Sequence, residues 1–278
     1  MGSLVLGSSA NAQIMGLSSR QLPKGSLKLL AYYQGTMDQD LNFNVQNAGN
    51  CTTANGVKFA CGQSGDVNAS GTGGMGVVKV LFQPWELVQY YALGGVGDYA
   101  LRAPVNGIGN TFDGDNPGFM LGGGMRVVVL PDTQVTPGIA VDAGASQSAY
   151  KFNRLAPGSG LAGASGQINQ RLGLTQWQVA LQIGHLFTIT EPQTAVDKEK
   201  EILLPEGLKV EPYGGVKWTR IQADLNDLQS GSHAGGQQDA ISPFVGVRLP
   251  LYGHEGLFAE AAFAHGTQVA GGLEIRFK

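Results

Sequence analysis

Residues Gln268 to Lys278 alternate almost without fault. Val269, Gly271, Leu273, Ile275 and Phe277 fall on one face, and Ala270, Gly272, Glu274, Arg276 and Lys278 on the other. Successive side chains of a β-strand point to opposite faces, so one face here is apolar or bare and the other carries charge. A sheet that closes on itself in a membrane requires such a strand, because lipid tolerates no unpaired sheet edge. The pattern predicts an all-β chain folded as an antiparallel transmembrane β-barrel.

Charged residues make up only 14 % of the 278 residues, hydrophobic residues 42 %, and 43 residues are glycine. Glycine this abundant, without a collagen period and among blocks of alternating apolar residues, fits a sheet with many turns and close strand contacts. A net charge of −3 argues against a basic surface for nucleic acid. The sequence holds no run of about eighteen apolar residues, which excludes ordinary transmembrane helices. A barrel needs none, since only every second residue meets lipid.

Ala10-Asn11-Ala12 before Gln13 has the small-x-small form of a signal-peptidase site, behind the short apolar run Leu4-Val5-Leu6. Residues 1–12 are therefore expected to be the remnant of a cleaved export signal, and residues 13–278 a single barrel domain. Cys51 and Cys61 lie in a stretch rich in Asn, Thr and Gly. In an exported chain they are expected to form a disulfide closing a loop.

Reading for period two gives about ten strands: 26–35, 75–82, 86–101, 119–130, 135–150, 172–187, 208–221, 241–251, 257–264 and 268–277. Short turns are expected at Gln83-Pro84-Trp85 and Pro131-Asp132-Thr133. Long polar loops are expected at Asp38–Thr72, Arg102–Asn116, Lys151–Arg171 and Ala223–Asp239. Long and short connections alternate, as in barrels with long outer loops and short periplasmic turns. Thr190–Pro205 and His265-Gly266 depart from the rule. Tyr33, Trp85, Tyr99, Phe119, Trp218 and Phe277, near strand ends, suit interfacial aromatic girdles.

On the Ala10-Asn11-Ala12 site, the strand pairs about Pro84, Pro131 and Gly253, and the terminal Gly271-Gly272-Leu273-Glu274-Ile275-Arg276-Phe277-Lys278, the chain resembles small bacterial outer-membrane β-barrel proteins. The family usually ends on the aromatic, whereas Lys278 follows Phe277 here. The resemblance implies the outer membrane of a Gram-negative-type bacterium, contact with outer-membrane lipid, and insertion by the barrel-assembly machinery.

Opposite the lipid face, the strands are expected to place Lys28, Arg126, Lys209, Lys217, Arg248 and Arg276 against Glu86, Asp98, Asp142, Glu211, Glu260 and Glu274 in the lumen. Buried charges must pair or meet water, so a narrow barrel of about ten strands is expected to be plugged by this network together with Gln176, Gln178 and Gln182. Gly94, Gly122, Gly124, Gly144, Gly184, Gly246 and Gly272 leave room for a passage. The expected role is structural or surface-interacting (adhesion-like), with the outer loops meeting a surface ligand the sequence does not name. The alternative is a narrow, porin-like passive channel for ions or small solutes.

Other motifs carry less. Gly71-Thr72-Gly73-Gly74-Met75-Gly76 fits G-x-G-x-x-G but lacks the strand before and helix after that phosphate binding needs, so it reads as a loop. Asp113-Gly114-Asp115-Asn116 has calcium-type oxygens without the twelve-residue spacing. No cofactor or metal site is expected, and no histidine pair has ligand spacing. A rim hydrolase would have to draw on Asp38, Asp40, Asp224, Asp227 and His233.

Overall fold

The computed structural model describes residues 22–45, 51–52, 58–59, 65–105, 108–157, 166–189, 208–228, 233–251, 254–263 and 266–277. Among them the secondary structure is strand: β1 (Leu27–Val45), β2 (Cys51–Thr52), β3 (Lys58–Phe59), β4 (Gly65–Trp85), β5 (Val88–Val105), β6 (Ile108–Asp113), β7 (Gly118–Leu130), β8 (Gly138–Pro157), β9 (Gly166–Gly184), β10 (Phe187–Ile189), β11 (Leu208–Asp227), β12 (His233–Pro250), β13 (Glu255–Phe263) and β14 (Thr267–Phe277). The expected signal remnant at 1–12, the segment 190–205 and Cys61, with its expected disulfide to Cys51, lie outside the described residues.

Ten strands close a ring of antiparallel neighbours, β1-β4-β5-β7-β8-β9-β11-β12-β13-β14 and back to β1. The alternating segment that ends the sequence makes the seam: Leu27 pairs with Phe277, and the register runs unbroken to Met37 opposite Thr267. Every backbone donor along these edges thus has a partner strand, the condition lipid imposes.

Polarity misled the reading of the outer loops. Where loops were expected, β1 continues to Val45, β5 to Val105, β8 to Pro157 and β11 to Asp227, while β4 begins at Gly65 and β12 at His233. Asn, Thr and Gln lower the apolar alternation without preventing strand pairing, so once the outer face meets water the sheet persists while its period-two signal fades. The Gly71–Gly76 motif, expected as a loop, lies inside β4.

The hairpin β13–β14 stops short, and above it β12 pairs directly with β1, Asn44 opposite Gly235 and Val45 opposite Ala234. A bulge between Thr36 and Gln39 bends β1 over the hairpin tip, with Asp38 at φ 49°. Gly266 (φ 139°) packs there against the Asp38 carbonyl, where an added Cβ would stand 2.9 Å from that oxygen. On the opposite side β6 inserts between β5 and β8 beyond the end of β7. The ring therefore tapers from ten strands to eight, namely β1, β4, β5, β6, β8, β9, β11 and β12.

At the other end the first turn is Glu86-Leu87, not Gln83-Pro84-Trp85. Trp85 pairs with Val88, and Pro84 falls in a register shift between Phe82 and Trp85. Proline lacks a donor, and the sheet tolerates it at such an irregularity. The β7–β8 connection runs from 131 to 137, where Thr133 Oγ1 accepts from the Thr136 backbone N–H at 3.1 Å.

Candidate functional site

Alternation along each strand divides the ring into two environments. Along β9, Trp177, Val179, Leu181 and Ile183 are exposed, while Leu174, Gln176, Gln178, Ala180 and Gln182 are buried. Along β11 the outward residues Leu208, Val216 and Trp218 are exposed and apolar, and Glu211, Tyr213, Lys217, Thr219 and Ile221 are buried. A soluble fold turns its charges out; this ring turns apolar side chains out and buries cations and carboxylates. The chain is a transmembrane β-barrel.

No protein-family profile and no curated protein matches the sequence. Among solved structures the chain is similar to the translocator domain of the autotransporter NalP from Neisseria meningitidis, with 12 % identity, TM-score 0.46, and coverage of 92 % of this chain and 89 % of that one. It is similar also to the outer-membrane protease OmpT from Escherichia coli, with 9 % identity, TM-score 0.45, and coverage of 94 % and 100 %. A third is the β domain of the Bordetella autotransporter Brka, with 11 % identity, TM-score 0.38, and coverage of 91 % and 99 %.

The interior is layered. Near the short-turn end, Lys28 of β1 pairs with Glu274 of β14. Arg248 of β12 pairs with the same carboxylate and with Glu211 of β11 at 2.9 Å. Glu211 and Arg248 are direct cross-strand neighbours, but Glu274 lies beyond β13. Gly256 of β13 clears the space: a Cβ there would stand 2.6 Å from Glu274 Oε1.

The next layer holds two tyrosine–carboxylate hydrogen bonds. Tyr91 donates to Asp142 at 2.8 Å and Tyr213 to Glu260 at 3.0 Å. Lys79 Nζ lies 4.0 Å from the centre of the Tyr91 ring, and Lys217 Nζ lies 5.9 Å from that of Phe244. Arg126, fully buried, stands across the β7–β8 pair from Asp142.

Above these charges, inside the tapered section, the filling becomes apolar. Leu41, Leu101, Phe112, Phe152, Leu172 and Ile221 are all buried. Tyr99 stacks on Tyr150 at 4.9 Å and donates to Gln39 at 2.8 Å. Between the two zones is a cavity of about 30 Å³, bordered by Gln34, Thr36, Ser146 and Gln176, room for about one water.

Five of the glycines expected to leave a passage, Gly122, Gly124, Gly144, Gly246 and Gly272, are crowded by neighbours instead, whereas Gly94 lies beside the exposed Leu121 on the outer face. A Cβ on Gly144 would lie 2.3 Å from the Tyr91 hydroxyl, one on Gly246 would lie 2.3 Å from the Tyr213 ring, and one on Gly272 would lie 2.4 Å from Tyr32. In β4, Gly71 and Gly73 make the same room for Tyr99, and Gly74 makes it for Tyr33 on the outside. Large rings on one strand sit over bare backbone on the next, as tight filling of a small barrel requires.

Of the expected lumen charges, Lys28, Arg126, Asp142, Glu211, Lys217, Glu260 and Glu274 are buried, and Arg248 is nearly so. Lys209 and Arg276 are partly exposed near the mouth, where Arg276 meets His254 at 3.3 Å. Two placements are corrected. Glu86 is exposed because the turn falls on it, and Asp98 is exposed on the outer face, on the opposite parity from the buried Tyr91, Leu93 and Tyr99 of β5. Tyr99, expected in a girdle, is buried in the lumen.

Lys79 was missed although its parity with Val77 and Leu81 places it inside. With it the buried set among the described residues is Lys28, Lys79, Arg126, Lys217 and Arg248 against Asp142, Glu211, Glu260 and Glu274, one cation in excess of the expected balance. Asp38, Asp40 and Asp224 of the rim constellation face outward, on strands that β12 separates. Asp115 accepts from Asn153 at 3.1 Å and pairs with Arg154, anchoring its turn to β8.

Proposed function

We propose that the protein is a closed outer-membrane barrel with a structural or surface-interaction role, presenting the outward-reaching part of its sheet and the connections above it to the environment. The observation that carries this reading is the double filling of the interior, an apolar core in the tapered section resting on a network of ion pairs and tyrosine–carboxylate bonds. Buried charges paired with partners on the neighbouring or the next-but-one strand of the wall resist opening, because freeing one leaves its partner buried and alone. The network serves as the plug. No residue set among those described converges as a nucleophile with a base, and the reading is non-enzymatic.

The test is single-channel recording on the full chain, refolded in detergent and inserted in a planar bilayer. Silence from folded, inserted protein is the expected result. Reproducible conductance steps in the unaltered protein would replace the plug with a narrow channel and make the interior charges a selectivity filter.

A further inference from the structure

The outer wall thins where β7 and β8 meet. On β7 and β8 the lipid-facing positions shrink to Gly123, Ala143 and Ala145, with Tyr90 and Trp177 standing at either side. The result is an open depression of about 780 Å³, within the size range of small-molecule sites. On β8 and β9 it lies at the upper edge of the apolar belt, because the next outward residues toward the tapered end are Gln147 and Thr175, while on β7 the belt continues through Leu121 and Phe119. Arg220 borders its upper corner, 5.4 Å from the Trp218 ring and bonded to Asp239 at 2.7 and 2.9 Å.

Higher on the same wall, Lys151 of β8 lies directly opposite Arg171 of β9, and both are exposed. Like charges in register on paired strands destabilise a sheet; across from Arg171 on its other side is the neutral Asn226, with the exposed carboxylate of Asp224 two residues closer to the belt. From Ala145 to Lys151 the strand rises roughly 20 Å, at ~3.3 Å per residue.

We propose that this wall binds an acylated lipid of the outer leaflet that carries more than one phosphate, its acyl chains in the depression and its phosphates against Arg220 and the Lys151–Arg171 pair. A lipid with one phosphate at the belt's edge reaches only Arg220, whose charge Asp239 already offsets. The spacing of the cations selects a headgroup with anionic groups at two heights. This holds whether or not the lumen conducts.

Lipopolysaccharide is the probe and phosphatidylglycerol the control, each titrated calorimetrically into the folded full chain in detergent. The unaltered protein is expected to bind lipopolysaccharide more tightly, and less so as salt rises. The double variant Lys151→Gln/Arg171→Gln should lose about three- to tenfold in that affinity, as two exposed charge contacts supply, with phosphatidylglycerol binding unmoved. Ala145→Leu, which fills the depression, should weaken lipopolysaccharide binding as well. Equal affinity for both lipids overturns the proposal, as does lipopolysaccharide binding indifferent to the charge variant. So does a dimer that Ala145→Leu dissociates, since a second copy would then occupy the wall. The heat-dependent gel mobility of a folded barrel shows which variants are intact, and the charge variant decides the matter alone if the leucine variant fails to fold.

Discussion

Arg248 illustrates how much one interior side chain holds. It bridges Glu211 and Glu274, two carboxylates otherwise buried near one another. Arg248→Met should destabilise the barrel by about 3–5 kcal/mol, and adding Glu211→Gln should restore part of that loss. Urea unfolding of refolded protein, read by tryptophan fluorescence, measures both. A single variant no less stable than the parent would show that the bridge contributes nothing. Gly144 gives the complementary case, an overfilled site. Gly144→Val would drive a branched side chain against the Tyr91 hydroxyl and should cost about 1–3 kcal/mol. A Tyr91→Ala partner substitution is expected to relieve the clash while giving up the bond to Asp142. A double variant weaker than the sum of its single changes would contradict that steric account.

At the level of elements, the turn Glu86-Leu87 holds Leu87 at φ 69°, a left-handed conformation that costs a branched residue about 1 kcal/mol relative to glycine. Leu87→Gly should raise the urea midpoint without changing the slope; a lowered midpoint would mean that the leucine side chain contributes more than its backbone loses. The Gly266 contact with the Asp38 bulge predicts that Gly266→Val frees the upper end of β1. Amides from Gln39 to Val45 should exchange faster while those from Leu27 to Tyr33 stay protected, and uniform protection in the variant would count against a local role for the bulge.

These two elements also mark how far the sequence could be read. Within the apolar belt, period two alone gives strand identity, face and the seam partner of β1, because lipid on one side and a packed lumen on the other both act on every residue. Above the belt water bathes the outer face, the constraint on alternation relaxes, and Asp98 and Tyr99 were misplaced for that reason. Lys79 was legible in principle from its strand. The pairing of Glu274 with Arg248 was not, since it depends on the absent side chain of Gly256 on the strand between them.

For the molecule as a whole, the sealed end and the charged end differ in what breaks them. Salt should weaken the ion-paired layer little, since it is buried beyond the reach of screening, and should leave the apolar core of the tapered section intact. Emptying the tapered section, for instance with Phe152→Ala and Leu172→Ala together, should cost roughly 5 kcal/mol or more and is expected to leave conductance absent as long as the lower network holds. A steady current through that variant would assign the seal to the apolar core alone. The wall at Gly123 and Ala145 remains outside both layers, so lipid binding there and closure of the interior can be varied separately.

One pair of residues also sets an order of events. Lys28 stands on the first strand of the ring and Glu274 on its last, so their meeting reports that the cylinder has shut. Until then each charge faces a half-built interior and can remain hydrated; afterwards neither can leave without the other. Contacts so far apart in the chain are the slowest to form. The bridge thus acts as a latch across the join between the two ends of the sheet.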